Sequence, residues 1–98
     1  MLNQEKAAEN KLRAIMEPER REILGLIQAR ELSSGEIASH FHVTHSAVSQ
    51  QLKLLADAGL VHVRKEGTRR LYRACPEGLA ELRSFLIYLI STFNERES

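Results

Sequence analysis

Apolar residues recur at intervals of three and four through most of this chain and alternate with polar ones in one short stretch. Ala8, Leu12 and Ile15 place a first helix over about Gln4 to Met16. Pro18 disfavours helical angles in the residue before it but suits a first helical position, so Glu17 to Glu19 marks a boundary. A second helix then carries Ile23, Leu24 and Ile27. Gly25 inside it costs about 1 kcal/mol relative to alanine, which implies close packing against a neighbour. Ser33 to Glu36 match the capping-box pattern and open a short third helix that buries Ile37, Ala38 and Phe41. Thr44 caps a fourth helix, whose buried side is Val48, Leu52 and Leu55 and which runs to Ala58 and stops at Gly59. From Leu60 to Lys65, Val61 and Val63 alternate against His62 and Arg64, Gly67 sits in a turn, and Leu71 to Ala74 form the return strand. Pro76 opens a last helix with Leu79, Leu82, Leu86, Leu89 and Phe93 spaced by three and four, widened by Phe85, Ile87, Tyr88 and Ile90.

The predicted architecture is mainly α with a small β-hairpin, four helices, two strands and a final helix, in one domain spanning residues 1–98. That order is a winged helix-turn-helix. The fourth helix sets Thr44, His45, Ser46, Ser49, Gln50, Gln51 and Lys53 opposite its buried face. Short hydroxyl and amide side chains without bulky apolar neighbours suit base edges and phosphates in a major groove, which an α-helix fits. A net charge of only +1 changes meaning once divided along the chain, because Gly59 to Cys75 holds Arg64, Lys65, Arg69, Arg70 and Arg73 against Glu66 alone. Arg64, Lys65, Thr68, Arg69 and Arg70 are therefore expected to reach DNA from the wing, and double-stranded DNA is the expected partner. A winged helix used as a protein-interaction module is the alternative, and it would show apolar anchors on the fourth helix instead. No serine, cysteine or carboxylate has a sequence partner suggesting catalysis, so the chain is not read as an enzyme.

A terminal helix apolar over most of its circumference must hide a second side, and a second copy of the chain is the economical cover. Leu12, Ile15, Leu79, Leu82, Leu86, Leu89 and Phe93 are the expected seam of a homodimer. Cys75 is the only cysteine, which excludes an intrachain disulfide and fits a reducing compartment. With neither a signal-peptide pattern nor a long apolar run, the expected location is cytoplasmic, away from any membrane. His40, His42 and His45 fall around a turn and at a helix start, where no ordered metal site is expected. Cys75, just before Pro76, lies where a helix amino terminus can raise thiol reactivity, although a small cap residue is the simpler reading.

The runs Pro18-Glu19-Arg20-Arg21-Glu22-Ile23-Leu24, Glu31-Leu32-Ser33-Ser34-Gly35-Glu36-Ile37-Ala38 and Ser46-Ala47-Val48-Ser49-Gln50-Gln51-Leu52-Lys53-Leu54-Leu55 with Gly59-Leu60-Val61 resemble the ArsR/SmtB family of bacterial repressors. Arg64-Lys65-Glu66-Gly67-Thr68-Arg69-Arg70-Leu71-Tyr72 resembles the family's wing. The resemblance implies a dimer joined by first and last helices and a repressor that blocks a promoter until a signal releases it. Many members sense metals. Here Ser33 and Gly35 stand where thiolate-using members carry cysteines, and no histidine follows His62 for a site on the last helix. The resemblance thus implies the metal-independent, autorepressor-like branch, with no metal or cofactor and with a small-molecule or redox effector of unspecified identity. The alternative is a metal- or thiol-responsive repressor with a non-standard site. Gln51 replaces a histidine common in the family's recognition helix, and His40-Phe41-His42 lacks the glycine often found in the turn, which bears on the operator sequence.

Overall fold

A computed structural model describes residues 2–97, with side chains described over residues 5–94. The elements are α1 (Leu2–Ala14), α2 (Pro18–Ala29), β1 (Leu32–Ser33), α3 (Ser34–Phe41), α4 (His45–Asp57), β2 (Val61–Glu66), β3 (Arg69–Ala74) and α5 (Pro76–Glu97). Several boundaries have a chemical cause. Pro18 starts α2, and the arginines that follow it turn back onto the end of α1. Arg20 Nε donates to the Ala14 carbonyl, and Arg21 Nη1 donates to those of Ile15 and Met16 at 2.7 and 3.0 Å. Carbonyls at the close of a helix that lack intrahelical partners are thereby satisfied.

The expected capping box is present on α3. Ser33 Oγ accepts from Glu36 N at 3.2 Å, and Glu36 Oε1 accepts from Ser33 N at 2.9 Å. The helix ends on His42 in the left-handed region (φ 56°, ψ 41°), with Val43 N donating to the Ala38 carbonyl at 3.1 Å. This is the Schellman arrangement, usually closed by glycine. Thr44 Oγ1 caps α4 by accepting from Ala47 N at 3.2 Å. Gly59 (φ +82°) ends it, with Leu60 N donating to Leu55 O at 3.0 Å.

Ile27, Ile37, Val48, Leu52, Leu55 and Leu60 are the largest fully buried side chains, so the core lies between α2, α3, α4 and the root of the hairpin. Leu32, Tyr72 and Leu82 pack into the same cluster. The sheet order is β1-β3-β2, antiparallel, with Leu32 opposite Tyr72 and Val63 also opposite Tyr72 on its other side. The sequence pattern did not predict β1, because two residues show no alternation. Gly67 (φ +63°) is the first residue of a two-residue turn between Glu66 and Arg69. Glycine there, with Thr68 outside the left-handed region, has the φ pattern of a type II′ hairpin.

Two expectations fail. Val63 is 44% exposed, since only Val61 at the root of β2 lies over the core and the remainder of the strand extends past it. Gly25 is exposed and a Cβ there would meet nothing within 4 Å, so it is not a packing glycine, and nothing in the structure explains it. The glycine that does require its missing side chain is Gly78, where a Cβ would collide with the Gly59 carbonyl oxygen. Beside this contact Lys11, buried, pairs through Nζ with Glu81 at 3.0 Å and ties α1 to α5.

The radius of gyration, 15.2 Å, exceeds the roughly 13 Å of a compact chain of this length. Much of the excess is the 22-residue α5, whose outer half exposes Ile87, Tyr88, Ile90 and Phe93.

Candidate nucleic-acid interface

Helix α4 is seated on Val48, Leu52 and Leu55, and its opposite side sorts the expected contact residues into engaged and unengaged. Thr44 is occupied as the cap. His45 Nε2 shares a 2.6 Å hydrogen bond with Ser34 Oγ, joining the first turns of α3 and α4. Gln51 is held at both ends of its amide: Arg20 Nη1 donates to Oε1 at 3.0 Å, and Nε2 donates to Glu19 Oε2 at 3.3 Å. It therefore acts as a strut between α2 and α4. Lys53 pairs with Asp57 at 3.1 Å on the exposed surface. Ser46 and Gln50 are exposed, Ser49 is half-buried, and none of these has an intramolecular side-chain partner among the described residues.

The wing shows the same division. Arg64 makes a forked contact with Glu31, Nε to both carboxylate oxygens at 3.0 and 2.9 Å and Nη2 to Oε1 at 2.7 Å, and also reaches Glu66 at 3.1 Å. Arg69 Nη2 donates to Glu36 Oε1 at 2.8 Å, so the wing is tied to the capping box of α3. Hydrogen bonding from Arg64 holds the Glu31 carboxyl below the ordinary glutamate range, against the opposing effect of desolvation. Glu36 is lowered first by the Ser33 backbone N–H, then by the Ser33 side chain, with desolvation opposing and Arg69 adding to the lowering. Glu31, and after it Glu66, raises the Arg64 guanidinium in turn. Lys65 and Arg70 face each other across the hairpin, exposed, and no ion pair engages either among the described residues. Like charges directly opposite on a sheet repel, a cost that an approaching polyanion removes. Thr68 sits exposed in the turn between them.

His40 packs edge-on against Phe41 with ring centroids 4.9 Å apart, His42 closes α3 and His45 bonds Ser34, so these three imidazoles do not converge. Of the expected seam, Leu82 is buried inside the protomer, while Leu12, Ile15, Leu79 and Leu86 lean on the same core. Leu89 is half-buried and Phe93 exposed. The spacing by three and four thus marks mainly the inward side of α5, and Ile87, Tyr88 and Ile90 form the outward apolar side together with Phe93. Cys75 is a buried cap: its Sγ accepts from Gly78 N at 3.4 Å and donates to Glu77 Oε2 at 3.4 Å. No helix among the described residues is long and apolar enough to cross a membrane.

Sequence reasoning missed Glu19, Arg20 and Glu31. Each is an ordinary surface charge by pattern, and only the tertiary fold brings it to the interface. Glu36 was visible, but only as a capping residue.

The profile of the bacterial regulatory protein arsR family matches residues 17–63, from the start of α2 into β2. The HTH-type transcriptional regulator Rv2034 of Mycobacterium tuberculosis is 44% identical over 73 residues, covering 74% of this chain and 68% of that protein. The chain belongs to the ArsR family. Another relative, the transcriptional repressor SdpR of Bacillus subtilis, is 33% identical over 58 residues, covering 59% of this chain and 64% of SdpR. The matches span about two thirds of the length of these two curated relatives. Among solved structures, the homodimeric winged helix-turn-helix DNA-binding domain of Mb0332 from Mycobacterium bovis superposes with a TM-score of 0.69 at 28% identity, covering 93% of this chain and 80% of that one. As an ArsR-family chain with this fold, the protein is a DNA-binding transcriptional regulator and not an enzyme.

Proposed function

We propose that this ArsR-family chain is a cytoplasmic, homodimeric repressor that inserts α4 of each protomer into successive major grooves of a near-palindromic operator. The observation that carries the reading is the pair of exposed polar side chains on α4, Ser46 and Gln50, together with a wing on which Lys65 and Arg70 stand opposed, none of the four having a side-chain partner among the described residues. Ser49, Gln51, Lys53, Arg64, Thr68 and Arg69 complete the proposed contact set. Ser46 and Gln50 read bases, whereas Lys65 and Arg70 reach phosphate. Dimerisation is supported by the outward apolar side of α5, by what Leu12, Ile15 and Leu89 leave uncovered, and by the homodimeric state of the Mb0332 domain. A two-fold pair places its recognition helices about 34 Å apart. Repression is the activity for which SdpR is named. Release works outside the two metal sites that the family resemblance describes, because Ser33, Gly35 and a last helix without histidine supply no ligands for them.

The test recovers genomic fragments bound by purified protein and measures affinity for the enriched sequence against a scrambled one. Gln50→Ala loses about 1–3 kcal/mol of discrimination. Lys65→Ala and Arg70→Ala weaken both sequences equally, and each lowers the slope of log affinity against log salt by about 0.9. A monomeric protein with no preference for any fragment would overturn the reading.

A further inference from the structure

Away from the DNA-facing surface, one group of ligand-type side chains converges from separate elements. His62 projects from β2, Cys75 precedes α5 and Glu77 lies in its first turn. Glu77 Oε2 is 3.4 Å from Cys75 Sγ and 3.6 Å from His62 Nε2, and the three ligand atoms all lie within 4.8 Å of one another. Tetrahedral zinc, with bonds of about 2.0–2.3 Å, sets neighbouring ligand atoms about 3.3–3.6 Å apart. Two edges therefore already have the dimensions of a zinc polyhedron. The third closes by movement of the half-exposed His62 ring.

We propose that His62, Cys75 and Glu77 bind one zinc-class divalent cation, with water in the fourth position. A mixed imidazole, thiolate and carboxylate set suits a borderline ion such as zinc better than hard magnesium or calcium. The sulfur lies inside, where the Gly78 N–H already donates to it, while His62 and Glu77 form an outer edge open to the entering ion. On binding, a Zn–S bond replaces the S–H bond and the proton leaves to solvent. The location differs from the thiolate site of the third helix and the histidine site of the last helix described for the family. It joins the wing root to the first turn of α5, where Cys75 N also donates to Leu60 O at 2.8 Å. Occupancy fixes the wing strand against α5 and so changes operator affinity, a consequence that rests on the repressor reading.

Cobalt(II), a spectroscopic substitute, is titrated into the full chain and then displaced with zinc. The expected result is one equivalent per chain with a near-ultraviolet thiolate charge-transfer band, absent in Cys75→Ser. His62→Gln and Glu77→Gln each weaken binding by at least about tenfold. Circular dichroism monitors folding, and should Cys75→Ser fail to fold, the other two variants carry the test. No band in the wild type, or a band and affinity unchanged in both His62→Gln and Glu77→Gln, overturns the site. Zinc shifts operator affinity of the wild type about fivefold or more and leaves that of His62→Gln unchanged. An unshifted wild type overturns the coupling, while the spectrum decides the site. Failure of metal-free protein to bind any promoter fragment overturns the repressor reading and leaves the spectroscopic result standing.

Discussion

Helix α4 rests on Val48, Leu52 and Leu55, all buried, whereas beyond Val61 every residue of β2 is exposed and the wing is tethered by Arg64 on Glu31 and Arg69 on Glu36. Packing holds most of the first element, and burial of apolar side chains responds little to modest salt or mild acid. Charge holds much of the second, and exposed ion pairs are screened by salt and individually weak. The two halves of the proposed DNA-facing surface should therefore respond to different perturbations.

The largest effect comes from breaking the packed half. Leu52→Ala removes a fully buried side chain and should lower unfolding free energy by about 2–5 kcal/mol in a denaturant titration. Lys65→Ala should leave the unfolding midpoint unmoved. If both variants unfold alike, the division between packing and charge is wrong. Next in size is the contrast between adjacent glutamines. Gln50→Ala should relax operator discrimination as stated above without loss of stability, while Gln51→Ala removes the strut to Arg20 and Glu19. The latter should cost about 1 kcal/mol of stability and weaken operator and scrambled DNA to the same degree. Selective loss of operator binding in Gln51→Ala would show that the strut swings out to read a base.

A smaller change with the opposite sign is expected from Glu31→Gln. It weakens the hold on Arg64, so the salt dependence of DNA binding should steepen by up to about 0.9 and affinity at low salt should rise for every sequence. An unchanged slope would mean that Arg64 does not reach a phosphate. The smallest effect is on acid stability. Glu31 and Glu36 have lowered folded-state values, so their contribution is present above the ordinary glutamate value of 4.5 and is lost as pH falls through the lowered values. Thermal unfolding followed from about pH 6 to pH 3 should decline less steeply in Glu31→Gln than in the parent chain. Equal declines would remove Glu31 from the acid response.

Helix boundaries were legible because their signals are local. Pro18, the Ser33–Glu36 box, Thr44, Gly59 and Pro76 each act within a turn of their own position. The interface was legible in composition but not in roles. Gln51 and Arg64 look like free polar groups until the fold brings up partners 31 to 33 residues away in sequence. Periodicity also cannot say whose core an apolar stripe enters, so Leu82 and Phe93 read alike although one is buried within the protomer and the other faces outward. Gly25 was expected to pack closely and does not, while Gly78, about which the pattern said nothing, does, because close approach of two backbones leaves no mark on either local sequence.

That approach has a mechanical consequence. With Gly78 pressed on the Gly59 carbonyl, the residue that ends α4 and the first turn of α5 lie in direct backbone contact. In the proposed dimer this contact is a route by which a tilt at the subunit seam would reach the two reading heads and alter their spacing against the turns of the duplex.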